Sequence, residues 1–299
     1  MISITEYLET IYKDFKSQND NGERLCELKK LTFESGGLPD YSNIQIQRLY
    51  LLRYAFAYAY EYTDMYAEVL AKMHNPSKVS VASIGCGAML DYWSLVQAIE
   101  KKRKIECNIR YCGIDDINWN YKVIRREDDQ IHFGIGNAID FFEKNTQFIS
   151  DVYFFPKSIS EFSDEEMKIV AKNFRNKPII KDTFFVCISI RSNELSMDRD
   201  MQKTKMIIDA LQHNGYKASQ AYNRYTHYKQ NVGIATYDSD YIYPDNAREY
   251  IINLNKKCAH FIKNGINCEE SCKCLNRWPV MKTGMICYQI IKFERMKMS

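Results

Sequence analysis

Two glycines separated by one residue are the most informative chemical feature of the sequence. Gly85-Cys86-Gly87 ends the short apolar run VSVASIG, and a helical pattern begins soon afterwards. Glycines at such a corner let the chain turn sharply and let a ligand approach the backbone closely. The next β-rich run, RYCGID, ends in Asp115, and a carboxylate at a strand tip can accept hydrogen bonds from both hydroxyls of a ribose. These residues predict a site for a ligand that carries a nucleoside.

The spacing of the glycines argues against two common nucleotide-binding loops. The dinucleotide fingerprint requires G-x-G-x-x-G, and the sixth position here is Leu90. A phosphate-binding loop requires G-K-[ST], which the sequence lacks. The corner therefore has no obvious phosphate contacts, which disfavours a nicotinamide-dependent oxidoreductase.

Strands that alternate with helices are predicted to position this corner. After residue 78 the β-rich runs VSVASIG, IRYCGID, IHFGIG, DVYFFP and TFFVCISI alternate with helical patterns, and YQIIKFE predicts a last strand. Such alternation indicates an α/β fold with a Rossmann-like, mainly parallel sheet and helices on both faces. Residues 1–75 predict an N-terminal helical region, and 76–299 a ligand-binding domain with a cysteine-rich insertion near 245–284.

The glycine corner and the acidic strand end resemble the first two motifs of a known family. VASIGCGAMLD (81–91) resembles motif I of the class I S-adenosylmethionine (SAM)-dependent methyltransferases, and YCGID resembles their ribose-binding motif. GIGNAIDF occupies the place of their adenine-binding segment, and YQIIKFER is similar to their closing strand. The resemblance implies SAM as cofactor, with cofactor-binding residues Gly85, Cys86, Gly87, Asp91, Asp115, Asp116, Asn137 and Ala138.

The resemblance also implies where the methyl acceptor binds. DVYFFPKSIS (151–160) occupies the place of the family's substrate-facing fourth strand, so the acceptor pocket and catalytic positions are assigned to Phe155, Pro156, Lys157 and Ser158. This strand lacks the Asn/Asp-Pro-Pro-aromatic signature of amino methyltransferases. Ala88 and Met89 replace the proline and third glycine of motif I, and Ser83 replaces its usual acid. YLLRYAFAY and LNRWPVMKTG also resemble an uncharacterised microbial and fungal branch that is related to rRNA-base methyltransferases.

A single arginine interrupts the apolar helical segment at residues 44–73. Arg53 needs a partner if it is buried, and the carboxylate of a bound methionine moiety would serve. The alternative is a structural pair with an Asp or Glu of the same chain. Arg53 is accordingly a predicted cofactor-binding residue with this alternative open.

Four cysteines near the C-terminal end have spacings that admit a metal. Four thiolates could form a tetrahedral structural zinc site, and the candidates are Cys258, Cys268, Cys272 and Cys274. Zinc knuckles usually show paired C-x2–4-C units, however, and only one half of this cluster fits that pattern. Cysteines without a ligand are the alternative.

Composition limits the remaining possibilities. The chain has 299 residues, of which 45% are hydrophobic and 26% charged, as in globular proteins. The net charge of +3 argues against a uniformly basic, histone-like surface but allows a local basic groove. No apolar stretch is long enough to span a membrane, and the N-terminus does not resemble a signal peptide. The ten cysteines then indicate a reducing compartment, and we expect a cytoplasmic protein.

Two classes of function follow from these features. The first is a SAM-dependent methyltransferase, with RNA as the first candidate acceptor and a small molecule or a protein as the second. The second is a non-catalytic module that binds SAM or a nucleoside as a sensor or scaffold, which the replaced motif positions favour.

Overall fold

The chain folds into two compact units. The computed structural model describes residues 2–19, 25–31, 39–123, 126–228, 230–267 and 269–297. The first unit comprises Met1–Ala59, Trp119–Tyr121 and Val232–Thr283, and the second comprises Tyr60–Asn118, Lys122–Asn231 and Gly284–Ser299. Within the described residues, no helix is both long enough and apolar enough to cross a membrane.

Helices and strands alternate through the middle of the chain. In chain order the described helices are α1 (Ile4–Asn19), α2 (Ile44–Lys72), α3 (Leu90–Gln97), α4 (Ala138–Lys144), α5 (Asp164–Asn176), α6 (Glu194–His213), α7 (Asp245–Ile252) and α8 (Ala259–Asn264). The strands are β1 (Lys78–Ile84), β2 (Asn108–Asp115), β3 (Gln130–Ile135), β4 (Val152–Phe155), β5 (Thr183–Ser189), β6 (Tyr216–Ala218), β7 (Thr226–His227) and β8 (Cys287–Arg295).

All described strands belong to one sheet in the second unit. Its order is β3-β2-β1-β4-β5-β8-β6, and β7 also pairs with β8. Strands β1 to β5 are parallel, and β8 runs antiparallel to β5. This arrangement confirms the predicted α/β, Rossmann-like, mainly parallel sheet. The strand order reverses between β1 and β4, so a ligand crevice is expected beyond their carboxyl ends.

Helices cover both faces of the sheet because its central strands are apolar on both sides. Successive side chains of a strand point to opposite faces. Phe154 stacks on Tyr66 of α2 at a ring distance of 4.8 Å, whereas Tyr153 contacts Phe174 of α5 at 5.5 Å. All four residues of β4 are buried. Burial on both faces explains why β4 and β5 are continuous apolar runs rather than alternating ones.

The helix ends follow local sequence signals. Ser163 and Glu166 form a capping box at the start of α5, because the Ser163 hydroxyl accepts from the backbone N–H of Glu166 and the Glu166 carboxylate accepts from the backbone N–H of Ser163. Helix α3 ends at Gln97, and the chain continues as a π-helix, Ala98–Arg103. Lys104 closes this segment in the left-handed conformation.

Candidate functional site

The glycine corner follows β1 directly at the reversal of the strand order. Gly85 and Gly87 have φ angles of +70° and +55°, and Met89 at the start of α3 has +60°. The left-handed region is open to glycine without a steric penalty. The backbone N–H groups of Gly85 and Cys86 both donate to the carbonyl of Ile114, at 2.8 and 3.1 Å. The corner is therefore fastened to the end of β2.

Asp115 completes this connection with its side chain. Its Oδ2 accepts from the N–H of Gly87 at 2.7 Å, and its Oδ1 accepts from the N–H of Ile117 at 2.9 Å. The residue is only 8% exposed. A carboxylate held by two backbone donors is fixed in direction. Asp116 beside it is exposed.

Close packing against the loop after β4 explains why residue 85 is glycine. A Cβ at Gly85 would lie 2.5 Å from the Cβ of Ser158. Ser158 is buried, and its hydroxyl donates to the carbonyl of Ile84. The predicted acceptor-side residue Ser158 is thus in direct contact with the predicted cofactor corner.

We expect Gly85→Ala to destabilise the protein by about 2–5 kcal/mol, combining about 1–2 kcal/mol for a left-handed alanine with about 1–3 kcal/mol for the clash. Gly215→Ala is the matched control, because Gly215 has φ +85° and nothing within 4 Å of a Cβ. Gly215→Ala should therefore lose only the stability that a left-handed alanine costs, about 1–2 kcal/mol. The cost of Gly85→Ala should be smaller when it is measured in a Ser158→Gly background by urea unfolding, because the Cβ that causes the clash is then absent. A Gly85→Ala cost no larger than that of Gly215→Ala would contradict this packing.

Asp91 lies in a buried polar cluster beneath the corner. Its Oδ1 accepts from the Tyr111 hydroxyl at 2.8 Å, and its Oδ2 accepts from the Tyr66 hydroxyl at 3.4 Å. Burial raises the pKa of the Asp91 carboxyl to about 6, although the hydrogen bond from Tyr111 acts in the opposite direction. The structure therefore places this predicted cofactor residue among tyrosine hydroxyls, where it supports the first turn of α3.

The raised pKa of Asp91 predicts a specific dependence of stability on pH. The folded state holds this proton more tightly than the unfolded state, so the stabilising contribution is present below about pH 4 and is lost as the pH rises through 6. The free energy of unfolding of Asp91→Asn, relative to wild type, should therefore rise by about 3 kcal/mol between pH 4 and pH 7. Asp209→Asn replaces an exposed carboxylate, and its free energy of unfolding relative to wild type should not change with pH. Equal profiles for both variants would refute the prediction.

A buried ion pair lies at the carboxyl ends of β4 and β5. Lys157 Nζ is 3.0 Å from Glu61 Oε2, and it donates to the carbonyl of Ile190 at 2.6 Å. Glu61 on α2 is fully buried and also accepts from the Ser189 hydroxyl. Burial raises the pKa of Glu61, and the charge of Lys157 opposes that shift. Lys157 itself has φ +60°, a strained backbone for a lysine.

The loop that follows Lys157 is tied down from α6. The Lys203 ammonium donates to the carbonyls of Ile159, Ser160 and Phe162. Burial lowers the pKa of Lys203. This lysine therefore holds the segment between Ser158 and Phe162 in place.

Glu161 adds a third carboxyl group, beside those of Asp115 and Asp116, to this end of the sheet. Glu161 is an exposed residue. Desolvation, together with the charges of Asp115 and Asp116, raises the pKa of Glu161 to about 7, against the effect of Arg191. The carboxyl groups of Asp115, Asp116 and Glu161 place negative charge at this end of the sheet, which favours a cationic ligand.

An open apolar surface lies beside Asp115 at the end of β3. Ile135 pairs with Asp115 across the strands and is 59% exposed. A Cβ at Gly134 or Gly136 would meet nothing within 4 Å. Asn137 caps α4 by accepting from the N–H of Ile139 at 2.7 Å, and Ala138 begins that helix. A flat ring has room against this surface.

Three further predicted residues differ in their exposure. Phe155 is fully buried in the core, and Pro156 is half-buried. Cys86 is buried, and a Cβ at Gly113 would lie 2.8 Å from its Sγ. Burial raises the pKa of the Cys86 thiol well above its ordinary value, so the thiol remains protonated.

Arg53 lies on the part of α2 that belongs to the first unit. Its guanidinium carbon is 5.0 Å from the ring centroid of Tyr54, and its Nε is buried with no hydrogen-bond partner among the described residues. The cofactor role predicted for Arg53 stays a prediction.

The predicted zinc ligands lie in the first unit. Cys258 and Cys272 are buried, Cys274 is exposed, and Cys268 lies outside the described residues. In the part of the chain that the structure describes, no group of three or more His, Cys, Asp or Glu side chains could hold a metal ion. The zinc prediction therefore finds no support there.

Sequence reasoning missed Glu61, Glu161, Ile135 and Lys203. Glu61 interrupts the same apolar segment that drew attention to Arg53, so the same signal would have found it. Glu161 and Lys203 act through contacts between distant parts of the chain, which the sequence does not show.

Comparisons with known proteins concern the fold alone. No family model matches the chain, and no curated protein matches its sequence. A solved structure similar to this chain is the plantazolicin methyltransferase BpumL in complex with SAH (10% identity, TM-score 0.42, covering 96% of this chain and 99% of that chain). Another is 1,6-didemethyltoxoflavin-N1-methyltransferase from Burkholderia thailandensis with bound SAH, which has 7% sequence identity and a TM-score of 0.40 over 79% of each chain. A third similar structure is MNMC2 from Aquifex aeolicus, with 11% sequence identity and a TM-score of 0.34. That match covers 52% of this chain and 53% of MNMC2, so the chain spans about half of its length.

The chain has a Rossmann-like α/β fold. Its parallel strands have the order β3-β2-β1-β4-β5, and the antiparallel β8 lies beside β5. The glycine corner after β1 and Asp115 at the end of β2 occupy the two positions on which the sequence resemblance rests.

Proposed function

We propose that the second unit binds SAM in the crevice beyond β1, β2 and β4 and transfers its methyl group to an acceptor. The observation that supports this most directly is the pairing of Asp115 with Gly87 at the reversal of the strand order. A directed carboxylate beside a bare backbone corner fits the two hydroxyls of a ribose.

The surrounding residues fit the other parts of SAM. The exposed face of Ile135, with the open space at Gly134 and Gly136, suits an adenine ring. The negative charges of Asp115, Asp116 and Glu161 suit a sulfonium. In this proposal Gly85, Cys86 and Gly87 offer backbone to the cofactor, Asn137 and Ala138 border the adenine, and Asp91 supports α3.

The chemistry requires position rather than a nucleophile supplied by the protein. Bound SAM supplies an activated methyl group, and the acceptor atom must lie in line with it at about 3–3.5 Å. Lys157 and Ser158 lie where the acceptor is expected, and both have fixed partners in Glu61 and the Ile84 carbonyl. These two residues would shape the acceptor side of the crevice, with Pro156 and the buried Phe155 behind them.

Calorimetry with SAM, SAH and NAD tests the cofactor assignment. We expect one-to-one binding of SAM with a Kd below about 100 µM and no heat from NAD. Binding of NAD alone, or of none of the three, would exclude the proposed function.

The pKa of Glu161 predicts how SAM affinity depends on pH. A cation in the crevice favours the ionised carboxylate, so SAM should bind about tenfold more tightly at pH 8 than at pH 6. Glu161→Gln should flatten this dependence, whereas Glu165→Gln, at an exposed site on α5, should preserve it. An unchanged profile in Glu161→Gln would show that another group titrates.

The second candidate is binding without turnover. It is favoured by Ser158, which fills the space beside Gly85, and by the non-glycine Met89 at φ +60°. Labelled methyl transfer to cellular RNA, protein and metabolite pools distinguishes the two. We expect the RNA pool to carry the label, and a small molecule or a protein is the second candidate acceptor. SAM binding without labelling of any pool would favour the sensor or scaffold.

A further inference from the structure

A polar groove of about 510 Å3 lies in the first unit, and none of the residues assigned above lines it. It is formed by α1, α7 and the turn that follows α7. Its volume is within the range of ligand sites, about 300–1,000 Å3. The groove brings together three lysines, two tyrosines and two asparagines, together with Glu249.

The charges on this groove are unbalanced. Lys16, Lys256 and Lys257 line it, and among the described residues none of the three forms an ion pair. At least eight other lysines among the described residues do pair with carboxylates, as Lys144 does with Asp140 at 2.7 Å. With Glu249 as the acidic residue of the lining, the groove has a net charge of about +2. Three ammonium groups around one concavity repel each other, and an anion relieves that repulsion.

The uncharged side chains that line the groove are aromatic rings and amides. The half-buried Tyr12 ring meets the buried Tyr250 ring edge-to-face at 5.6 Å, and Tyr250 also contacts Phe15 at 6.2 Å. Tyr12 is therefore held in one orientation. Asn246 and Asn253 supply amides, which both donate and accept hydrogen bonds.

We propose that this groove binds a segment of single-stranded nucleic acid. Its phosphates would lie on the three lysines, a base would contact the Tyr12 ring, and the amides would meet base edges. Aromatic rings beside lysines are the usual combination for binding single strands. A membrane surface fits less well, because interfacial binding uses a protruding apolar face rather than a concave polar one.

The proposal does not depend on methyl transfer. If both hold, nucleic acid becomes the first acceptor class to test in the methyl-transfer assay. If the second unit proves not to bind SAM, the groove remains a nucleic-acid site.

Fluorescence anisotropy with labelled U12 and dT12 oligonucleotides tests the groove on the full chain. Lys16→Gln/Lys256→Gln/Lys257→Gln should weaken binding at least about tenfold and reduce the slope of log K against log salt by about 2, at about 0.7 per phosphate contact. Lys144→Gln/Lys168→Gln/Lys205→Gln removes the same charge from exposed sites on other helices. That control should stay within about twofold of wild type.

The aromatic contact has its own pair of variants. Tyr12→Ala should weaken binding by at least about fivefold, and Tyr12→Phe should stay within about twofold, because stacking needs the ring and not the hydroxyl. A preference for U12 over dT12 would assign RNA, and the reverse would assign DNA.

Three results would overturn the proposal. One is that wild type binds neither oligonucleotide. Another is that the control triple variant loses as much affinity as the groove variant. The third is that polyglutamate or phosphatidylserine vesicles compete as well as the oligonucleotides. SAM calorimetry on the groove variant should match wild type, so failure of SAM binding is recorded separately from failure of the groove.

Discussion

Replacing Asp115 with alanine should weaken SAM binding at least about 100-fold. The variant removes the carboxylate that is proposed to accept two hydrogen bonds from the ribose, and bonds to a charged acceptor contribute about 1.5–3 kcal/mol each. It also releases the N–H groups of Gly87 and Ile117, which Asp115 holds at 2.7 and 2.9 Å. Isothermal calorimetry with SAM gives the affinity directly.

Two controls separate lost binding from a disturbed fold. Asp115→Asn keeps an acceptor for only one of the two backbone N–H groups, so its melting temperature, measured beside its SAM affinity, shows how much of the loss comes from the fold. Asp140→Ala removes an exposed carboxylate on α4 that pairs with Lys144, and its SAM affinity should not change. A Kd for Asp115→Ala within threefold of wild type would place the cofactor elsewhere.

Removing Glu61 should be the most destabilising single change near the site. Glu61→Ala leaves the ammonium of Lys157 largely buried beside an empty space, and breaking a buried ion pair in this way costs about 3–5 kcal/mol. It also removes the acceptor of the Ser189 hydroxyl. The free energy of unfolding in urea measures the loss.

A double variant distinguishes charge from packing. Glu61→Leu/Lys157→Met replaces both charges with apolar groups of similar size, and such exchanges are often neutral or stabilising. We therefore expect the double variant to be more stable than Glu61→Ala by at least about 2 kcal/mol. A double variant as unstable as Glu61→Ala would show that the cavity, and not the unpaired ammonium, causes the loss.

The sheet and its glycine corner could be predicted because their signals are local. Apolar runs that end in glycine or aspartate show where the strands end, and parallel pairing then brings Gly87 and Asp115 together. The contact of Lys157 with Glu61 could not be predicted in this way. It depends on how α2 packs over β4 and β5, which no spacing within the sequence records.

Burial decided the outcome for several other residues. Asp91 matches a motif position, yet the structure surrounds its carboxylate with the hydroxyls of Tyr66 and Tyr111. Phe155 ends β4 as expected, but its ring lies in the core. Residue type and position were readable from the sequence, whereas the direction of each side chain depends on packing between distant segments.

The three carbonyls that Lys203 holds have a consequence for chemical complementation. Lys203→Ala would vacate the space of the lysine side chain and leave the carbonyl oxygens of Ile159, Ser160 and Phe162 without a cation. Such a cluster of oxygens resembles the ligands that alkali-metal and ammonium ions accept. Methylammonium or potassium added to that variant should therefore restore the order of this loop, with a dependence on ion radius that wild type would lack.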